Sequence, residues 1–371
     1  MINTGIKISY LFSKILTKVV GFIIKITLIF NKKAKQVKGF KEKYDTLFCD
    51  FFSRLDDGSE KVIHRDNCPI CGCDERLFKF TVYKFPIVKC GRCSFIYREK
   101  TISHATLGRW RMKWTDLYYK SRGMEHKIDE CDYQNQVDGR ARKLKGAFER
   151  ADFDPRGKRF LDIGCSIGTA CVAANSLGMR AVGVDIDPGR GHFQTVFERY
   201  KSDFTFIDGD FTQLKLEPRS FDFIMSTMTL DHVVDIKGFI EKVSVLLRKG
   251  GSFLVSVPNL DSMSNAVLKE RYARQWMITH ENFFDLPHLT TLLDTYNLKI
   301  YKTWTAWHPF LTIVRNPMEL TIFKEFTGKG KRDVSRTGES NKKEKVQKRS
   351  GKDLFRRCMQ GEILYAVAST K

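Results

Sequence analysis

Two C-x-x-C turns, Cys68-Pro-Ile-Cys71 and Cys90-Gly-Arg-Cys93, stand 18 residues apart. Each turn presents two thiolates to one ion, and the residues between them can form a hairpin that brings the turns together. Four thiolates fill the tetrahedral shell that Zn2+ prefers and leave no position open for substrate. The spacing therefore predicts a structural site, with Cys68, Cys71, Cys90 and Cys93 as ligands and Cys73 as a spare thiol. A second set lies further on, in the loop Asp162-Ile-Gly164-Cys165-Ser-Ile-Gly168. Gly164 and Gly168 allow a tight turn and let a ligand approach the backbone. Asp185 follows 17 residues after Gly168, where a carboxylate can accept both hydroxyls of a ribose, and Asp210 follows in turn.

These residues need elements to carry them. Short apolar runs at Arg159–Gly164, Arg180–Asp185, Phe204–Asp208, Phe221–Ser226 and Ser252–Val257 read as strands. Helical runs through Leu177, to about Tyr200 and over Ile236–Leu247 separate them, and Gly250-Gly251 marks a turn before the fifth strand. Such regular alternation predicts an α/β fold with a doubly wound parallel sheet. The loop 162–168 and Asp185 then lie at the carboxyl ends of the first two strands, where such sheets bind ligands. Lys299–Ala306 reads as a sixth strand and Gly361–Ala368 as a seventh, antiparallel one.

The glycine loop, the two acids and the segment Leu247-Arg-Lys-Gly-Gly-Ser-Phe-Leu-Val-Ser-Val-Pro-Asn259 together resemble the class I S-adenosylmethionine-dependent methyltransferases. The resemblance covers about residues 160–260. It implies a Rossmann-like seven-stranded sheet with S-adenosylmethionine as cofactor. Asp162, Gly164, Cys165 and Gly168 would then form the loop that cradles the methionine part. Asp185 would bind the ribose, Asp210 the adenine amine, and Ile186 and Phe211 would flank the adenine ring. Ser166 stands where the family usually has a further glycine, a change its small size tolerates. Thr229-Leu-Asp-His232-Val and His280-Glu-Asn-Phe-Phe resemble segments of small-molecule methyltransferases. With the four-cysteine knuckle, they resemble enzymes of polysaccharide and other sugar-modifying pathways.

Methyl transfer from a sulfonium to a hydroxyl is an in-line displacement that needs close approach and removal of a proton. A base after the fourth strand would face the reactive end of the cofactor. His232 is there, with Asp231 and Asp235 as orienting carboxylates or weak metal ligands. His280 is the second candidate, on the connection that would roof the acceptor pocket. Trp276, Phe283 and Phe284 line that pocket or belong to the core.

Composition narrows the setting. The chain has 371 residues, is 42% hydrophobic and carries a formal net charge of +21, which excludes wholesale disorder and invites anionic partners. The charge is concentrated at the two ends. Residues 1–43 hold ten lysines against Glu42, and residues 324–357 hold thirteen basic residues against five acids, leaving +4 for the rest. Near-neutrality of the middle argues against nucleic acid as partner, as does the lack of interleaved basic and aromatic residues. Ser226-Thr-Met-Thr also lacks the Asn/Asp-Pro-Pro-aromatic pattern of enzymes that methylate exocyclic base amines.

In the first 32 residues Lys7, Lys14, Lys18, Lys25 and Lys32 share an arc of about 40° on a helix that is otherwise mostly apolar. That predicts an amphipathic helix on an anionic membrane surface or docked on protein. The organisation expected is an amphipathic basic segment (1–43), a zinc-ribbon-like module (62–100), a helical linker (101–155) and the methyltransferase domain (156–371). A disordered basic insertion is expected at about 328–352. The scattered cysteines and the absence of a cleavable leader pattern predict a cytoplasmic protein, and the basic helix predicts peripheral attachment at the inner face of the cell membrane. The acceptor expected is a small molecule, a sugar or a lipid-linked glycan.

Overall fold

Thiol-bearing turns and short β-branched and aromatic runs give the first part of the molecule five strands. They are β1 (Val62–His64), β2 (Arg76–Val82), β3 (Phe85–Cys90), β4 (Ile96–Arg98) and β5 (Lys100–Ile102). β2 and β3 form the antiparallel hairpin expected between the two C-x-x-C turns, pairing Arg76 with Cys90 at its open end. The computed structural model describes residues 46–47, 49–55, 58, 60, 62–82, 84–102, 110, 113, 130–186, 194–272, 275–306 and 361–370. The expected amphipathic segment 1–43 and basic insertion 328–352 lie outside the described residues.

The second part alternates helices and strands. In order they are α1 (Glu130–Ala151), β6 (Arg159–Ile163), α2 (Thr169–Ser176), β7 (Arg180–Asp185), α3 (Gln194–Tyr200), β8 (Thr205–Asp208) and β9 (Phe221–Thr227). There follow α4 (Ile236–Leu246), β10 (Leu247–Pro258), α5 (Met263–Leu268), β11 (Asn282–Phe283), α6 (Leu286–Thr295), β12 (Leu298–Ala306) and β13 (Ile363–Thr370). The main sheet runs β12-β13-β10-β9-β6-β7-β8. Its central pairings are parallel, and β13 runs antiparallel to both β10 and β12. The chain builds outward from β6 first through β7 and β8, then returns to β9 on the other side. β6 is thus the switch point, and a crevice opens beyond its carboxyl end.

Several strand boundaries differ by a residue or two from those read in the sequence, and for two of them the structure shows why. β10 starts at Leu247, which pairs with Phe221 before the chain bulges over residues 248–251 and resumes pairing at Ser252. The Gly250-Gly251 pair, with Gly250 at φ 74°, makes this bulge inside a strand and not a turn ahead of one. β8 starts at Thr205, because the buried Phe204 ring turns in against Gly168 and Gly183.

Apolar faces of helices cover both sides of the sheet. Ile236, Phe239, Ile240, Val243 and Leu246 of α4 and Leu289, Leu292 and Leu293 of α6 pack on one side. Val137, Leu144, Ala147 and Phe148 of α1 and the small residues of α2 pack on the other. The module with the four cysteines is not a separate bead on this body. Val88, Phe95 and Tyr97 share one continuous core with Leu161, Phe284 and Leu289. β11, which follows the main sheet's β10 in the chain, completes a four-stranded sheet β11-β4-β3-β2 with the module's hairpin. Among the described residues no helix is long and apolar enough to cross a membrane.

Candidate functional site

The cofactor side is made by turns at the carboxyl ends of β6 and β7. Gly164 takes φ 81° and Gly168 φ 75°, the left-handed region that glycine alone enters without strain. A Cβ on Gly164 would come within 2.2 Å of Thr229 Oγ1, and one on Gly168 within 2.1 Å of the Phe204 ring. Both glycines are therefore fixed by protein packing as well as by turn geometry. The loop is laced to the next strand, for the N–H groups of Gly164 and Cys165 both donate to the Val184 carbonyl. Ser166, the residue in the family's glycine position, sits at φ 51°, and its N–H donates to Asp185 Oδ2 at 2.7 Å. Asp185 is half-buried at the end of β7, tying loop and strand together.

Asp162 lies beneath this loop, 3% exposed. Burial pushes its carboxyl up to about 7 against the pull of Arg140, and the Asp185 charge adds to the rise. A buried carboxylate so costly to ionise favours a cationic ligand, which suits the ammonium and sulfonium of S-adenosylmethionine. Asp210 Oδ1 accepts from the Thr212 N–H at 2.9 Å and hydroxyl at 2.8 Å, so it shapes the turn after β8. Ile186 is 37% exposed, in keeping with a place beside a ligand ring. Phe211 is 4% exposed, and its ring packs on Phe239 at 5.0 Å, so it belongs to the core. Cys165 is likewise buried, next to Cys171 over Gly183.

The other side of the crevice holds the polar cluster Asp231, His232 and His280. A short 3-10 turn, Leu230–His232, follows β9, and Thr229 just before it leans over Gly164. Asp231 is fully buried, with Oδ2 3.5 Å from His232 Nε2 and 3.3 Å from His280 Nε2. Neither of its oxygens has a hydrogen-bond partner among the described residues. His232 Nδ1 lies 2.7 Å from the Thr279 carbonyl and His280 Nδ1 2.9 Å from the Gln275 carbonyl. Carbonyls only accept, so both Nδ1 atoms carry the proton. Both Nε2 atoms then face the carboxylate. Burial lowers His280 to about 4, so this ring stays neutral near pH 7. His232, with its side chain 30% exposed, is the imidazole within reach of a ligand, while His280 is enclosed at 3%.

Asp235, expected beside His232 as an orienting group, caps α4 instead: its Oδ1 accepts from the Gly238 N–H at 3.0 Å. Trp276, Phe283 and Phe284 are all buried, so they are core. Sequence reasoning missed Arg65, Arg98 and Gln275, which support this cluster. Arginines in the four-cysteine module carry no local sign of contact with a segment about two hundred residues away.

The four cysteines do converge. At a zinc–sulfur distance of about 2.3 Å a tetrahedral shell spaces its sulfurs about 3.8 Å apart. Sγ of Cys68 and Cys93 lie 3.6 Å apart and those of Cys71 and Cys90 3.5 Å, all four within 4.8 Å. Cys73 stays outside this set, its carbonyl accepting from the Cys68 N–H. Burial raises the Cys68 thiol to about 11. Burial also opposes ionisation of Cys90, but the N–H groups of Cys93 and Arg92 outweigh it and bring that thiol down to about 6. The set fits one thiophilic dication. Asp231, His232 and His280 form a second group whose ligand atoms lie within 4.8 Å of one another.

Residues 133–303 match the family model of a methyltransferase domain. That span is under half of the chain, and over it the chain is similar to methyltransferase domains. A ubiquinone biosynthesis O-methyltransferase of Bradyrhizobium diazoefficiens is 30% identical over 163 residues, which are 42% of this chain and 64% of that protein. One from a Chelativorans species is 31% identical over 139 residues, covering 33% and 53%. The chain thus spans less than two thirds of the length of these curated relatives. Among solved structures, an S-adenosylmethionine dependent methyltransferase from Mesorhizobium loti aligns with 58% of this chain and 92% of its own. The identity there is 16% and the TM-score 0.38.

Proposed function

We propose that this chain transfers the methyl group of S-adenosylmethionine to a hydroxyl oxygen, with a sugar or lipid-linked glycan at a membrane surface as acceptor. One observation carries the reading. The part-exposed His232, its Nδ1 set against the Thr279 carbonyl, lies in the turn just after Thr229, which leans over the cofactor loop at Gly164. In the step proposed, the acceptor oxygen forms a bond to the methyl carbon as the carbon–sulfur bond breaks. The hydroxyl proton passes to His232 Nε2, and S-adenosylhomocysteine leaves. Asp231 stabilises the imidazolium as it forms. The names of the relatives support oxygen as the acceptor atom. They also suggest an intermediate of quinone biosynthesis as the rival acceptor class. The lysine arc of residues 1–43 supports the membrane setting, and the cluster of four cysteines supports a structural Zn2+.

Two Nε2 lone pairs and a carboxylate pointing at one another favour a second reading of the same cluster. There, Asp231, His232 and His280 would together hold a divalent cation. Titration with S-adenosylmethionine should give binding that Asp185→Ala weakens. A screen of hydroxyl acceptors with labelled methyl donor should give product that His232→Ala reduces by about 100-fold or more. No cofactor binding would refute the enzyme reading, and product undiminished in His232→Ala would refute the base. Mn2+ binding lost in Asp231→Asn would select the cation. Deleting residues 1–31 should release the protein from anionic vesicles; unchanged association would refute the membrane setting.

A further inference from the structure

The segment 275–282 supplies nearly everything that fixes the two imidazoles. It provides the His280 ring and the carbonyls of Gln275 and Thr279 that orient His280 and His232. It is tied to the turn after β9 by Glu281 N–H to the Asp231 carbonyl at 2.8 Å and by Asn282 Nδ2 to the Val233 carbonyl at 2.6 Å. What holds it from the other side is the four-cysteine module. Arg98, at the end of β4 and 1% exposed, donates from Nε to the His280 carbonyl at 3.1 Å. Its Nη2 donates to the Met277 carbonyl at 2.9 Å. Arg65, 7% exposed, donates to the Glu281 carbonyl at 3.0 Å and to Asn282 Oδ1 at 2.8 Å. Both guanidinium groups lie 4.0 Å from the buried Glu281 carboxylate.

Two arginines buried around one carboxylate are an expensive way to hold a loop if packing alone would serve. A guanidinium is, however, the side chain whose rigid fork can pin two carbonyls at once. Cys90 ends β3, and Cys93 lies two residues before Phe95, which packs against Phe284 and His288. His288 Nε2 lies 2.8 Å from the Cys93 carbonyl. The thiol turns therefore set the position of β4, and β4 sets Arg98.

We propose that Arg98 and Arg65 are positioning residues for methyl transfer, holding the acceptor-side histidines from the four-cysteine module. Metal occupancy of the four thiols then governs the acceptor side of the crevice and leaves the cofactor side unchanged. The inference rests on the methyltransferase reading above for the meaning of the two sides, though not for the linkage itself.

The test uses the full chain, zinc-loaded or stripped with a chelator, and the variants Arg98→Met, Arg98→Lys and Arg65→Gln. Imidazole 15N spectra report the tautomers of His232 and His280, hydrogen exchange reports residues 277–282, and calorimetry reports S-adenosylmethionine binding. Stripping and Arg98→Met should each shift both imidazole signals and speed exchange of the segment at least tenfold. Cofactor affinity should stay within about threefold. Arg98→Lys, which can still donate to one carbonyl, should fall between Arg98→Met and the native protein. If Arg98→Met does not fold, Arg65→Gln decides by the same measures with a smaller expected shift. Unchanged imidazole spectra in the folded variants would overturn the proposal. So would loss of cofactor binding in step with the spectra, since Arg98 would then support the whole domain. A native protein that binds no S-adenosylmethionine would defeat the methyltransferase reading, while the exchange data still decide the linkage.

Discussion

The two sides of the crevice are built in opposite ways. The cofactor side is local: Gly164, Ser166 and Gly168 lie within one turn, and its ties run from backbone N–H groups to Val184 and Asp185 about twenty residues on. The acceptor side is assembled from afar, with Arg98 reaching His280 across 182 residues and Arg65 reaching Asn282 across 217. The first is a local site, built largely from the backbone at the ends of β6 and β7. The second is a side-chain site whose geometry depends on a module at the other end of the chain. Damage should therefore spread differently from the two.

The largest expected effect comes from removing metal from the four thiols. A structural zinc site contributes on the order of 10 kcal/mol to folding. Chelation should lower the melting temperature by at least about 10 °C in scanning calorimetry. If the two sides are as different as their construction suggests, the stripped protein still binds S-adenosylmethionine. A stripped protein that melts at the native temperature would show that packing of Phe95 and Tyr97, without metal, holds the module.

Next in size is the pH dependence, where the two sides pull in opposite directions. Asp162 has its folded value raised by burial from 3.8 to about 7. Its contribution to stability is full below about pH 4 and is lost as pH rises to about 7, up to about 4 kcal/mol by linkage. His280 has its folded value lowered by burial from 6.5 to about 4. Stability is therefore full above about pH 6.5 and falls, by about 3 kcal/mol, as pH drops to about 4. Asp162→Asn should flatten the neutral limb of a plot of melting temperature against pH, and His280→Gln the acid limb. Bound S-adenosylmethionine should restore the neutral limb of the native protein and leave the acid limb in place.

The cofactor side was legible in the sequence because its determinants are local. Two glycines four residues apart after an apolar run, and an acid ending the next run, specify a positive-φ turn at the strand ends without any distant contact. The thiol turns were legible for the same reason. Asp231 and His232 were visible as neighbours of β9, but Asp235 was misjudged, because an Asp before an apolar run is equally a helix cap. β11, two residues long, has no periodicity to read, and it is the strand that joins the module to the site. The functional partners of Arg65 and Arg98 follow from tertiary packing alone.

A smaller effect is expected from Asp185→Ala. Losing a charged acceptor to the ribose costs about 1.5–3 kcal/mol, or about 10–100-fold in cofactor affinity by calorimetry. Hydrogen exchange over residues 277–282 should not change. Exchange that quickens there would mean that the two sides communicate through Thr229, which leans over Gly164.

The smallest effect is expected from Ser166→Gly, and it tests whether the cofactor side is a backbone site at all. Ser166 holds φ 51°, a region that costs a residue with a Cβ about 1 kcal/mol, and glycine would relieve that strain. Glycine also loses about 0.5–1 kcal/mol through the greater freedom of the unfolded chain. The two nearly cancel, so the melting temperature should move by no more than about 2 °C. What the loop offers Asp185 at residue 166 is its N–H, at 2.7 Å, and that donor survives the substitution. Cofactor affinity should then stay within about twofold. A tenfold loss would mean that the hydroxyl of Ser166 is itself a ligand group. The loop itself would then bind through a side chain as well as through its backbone.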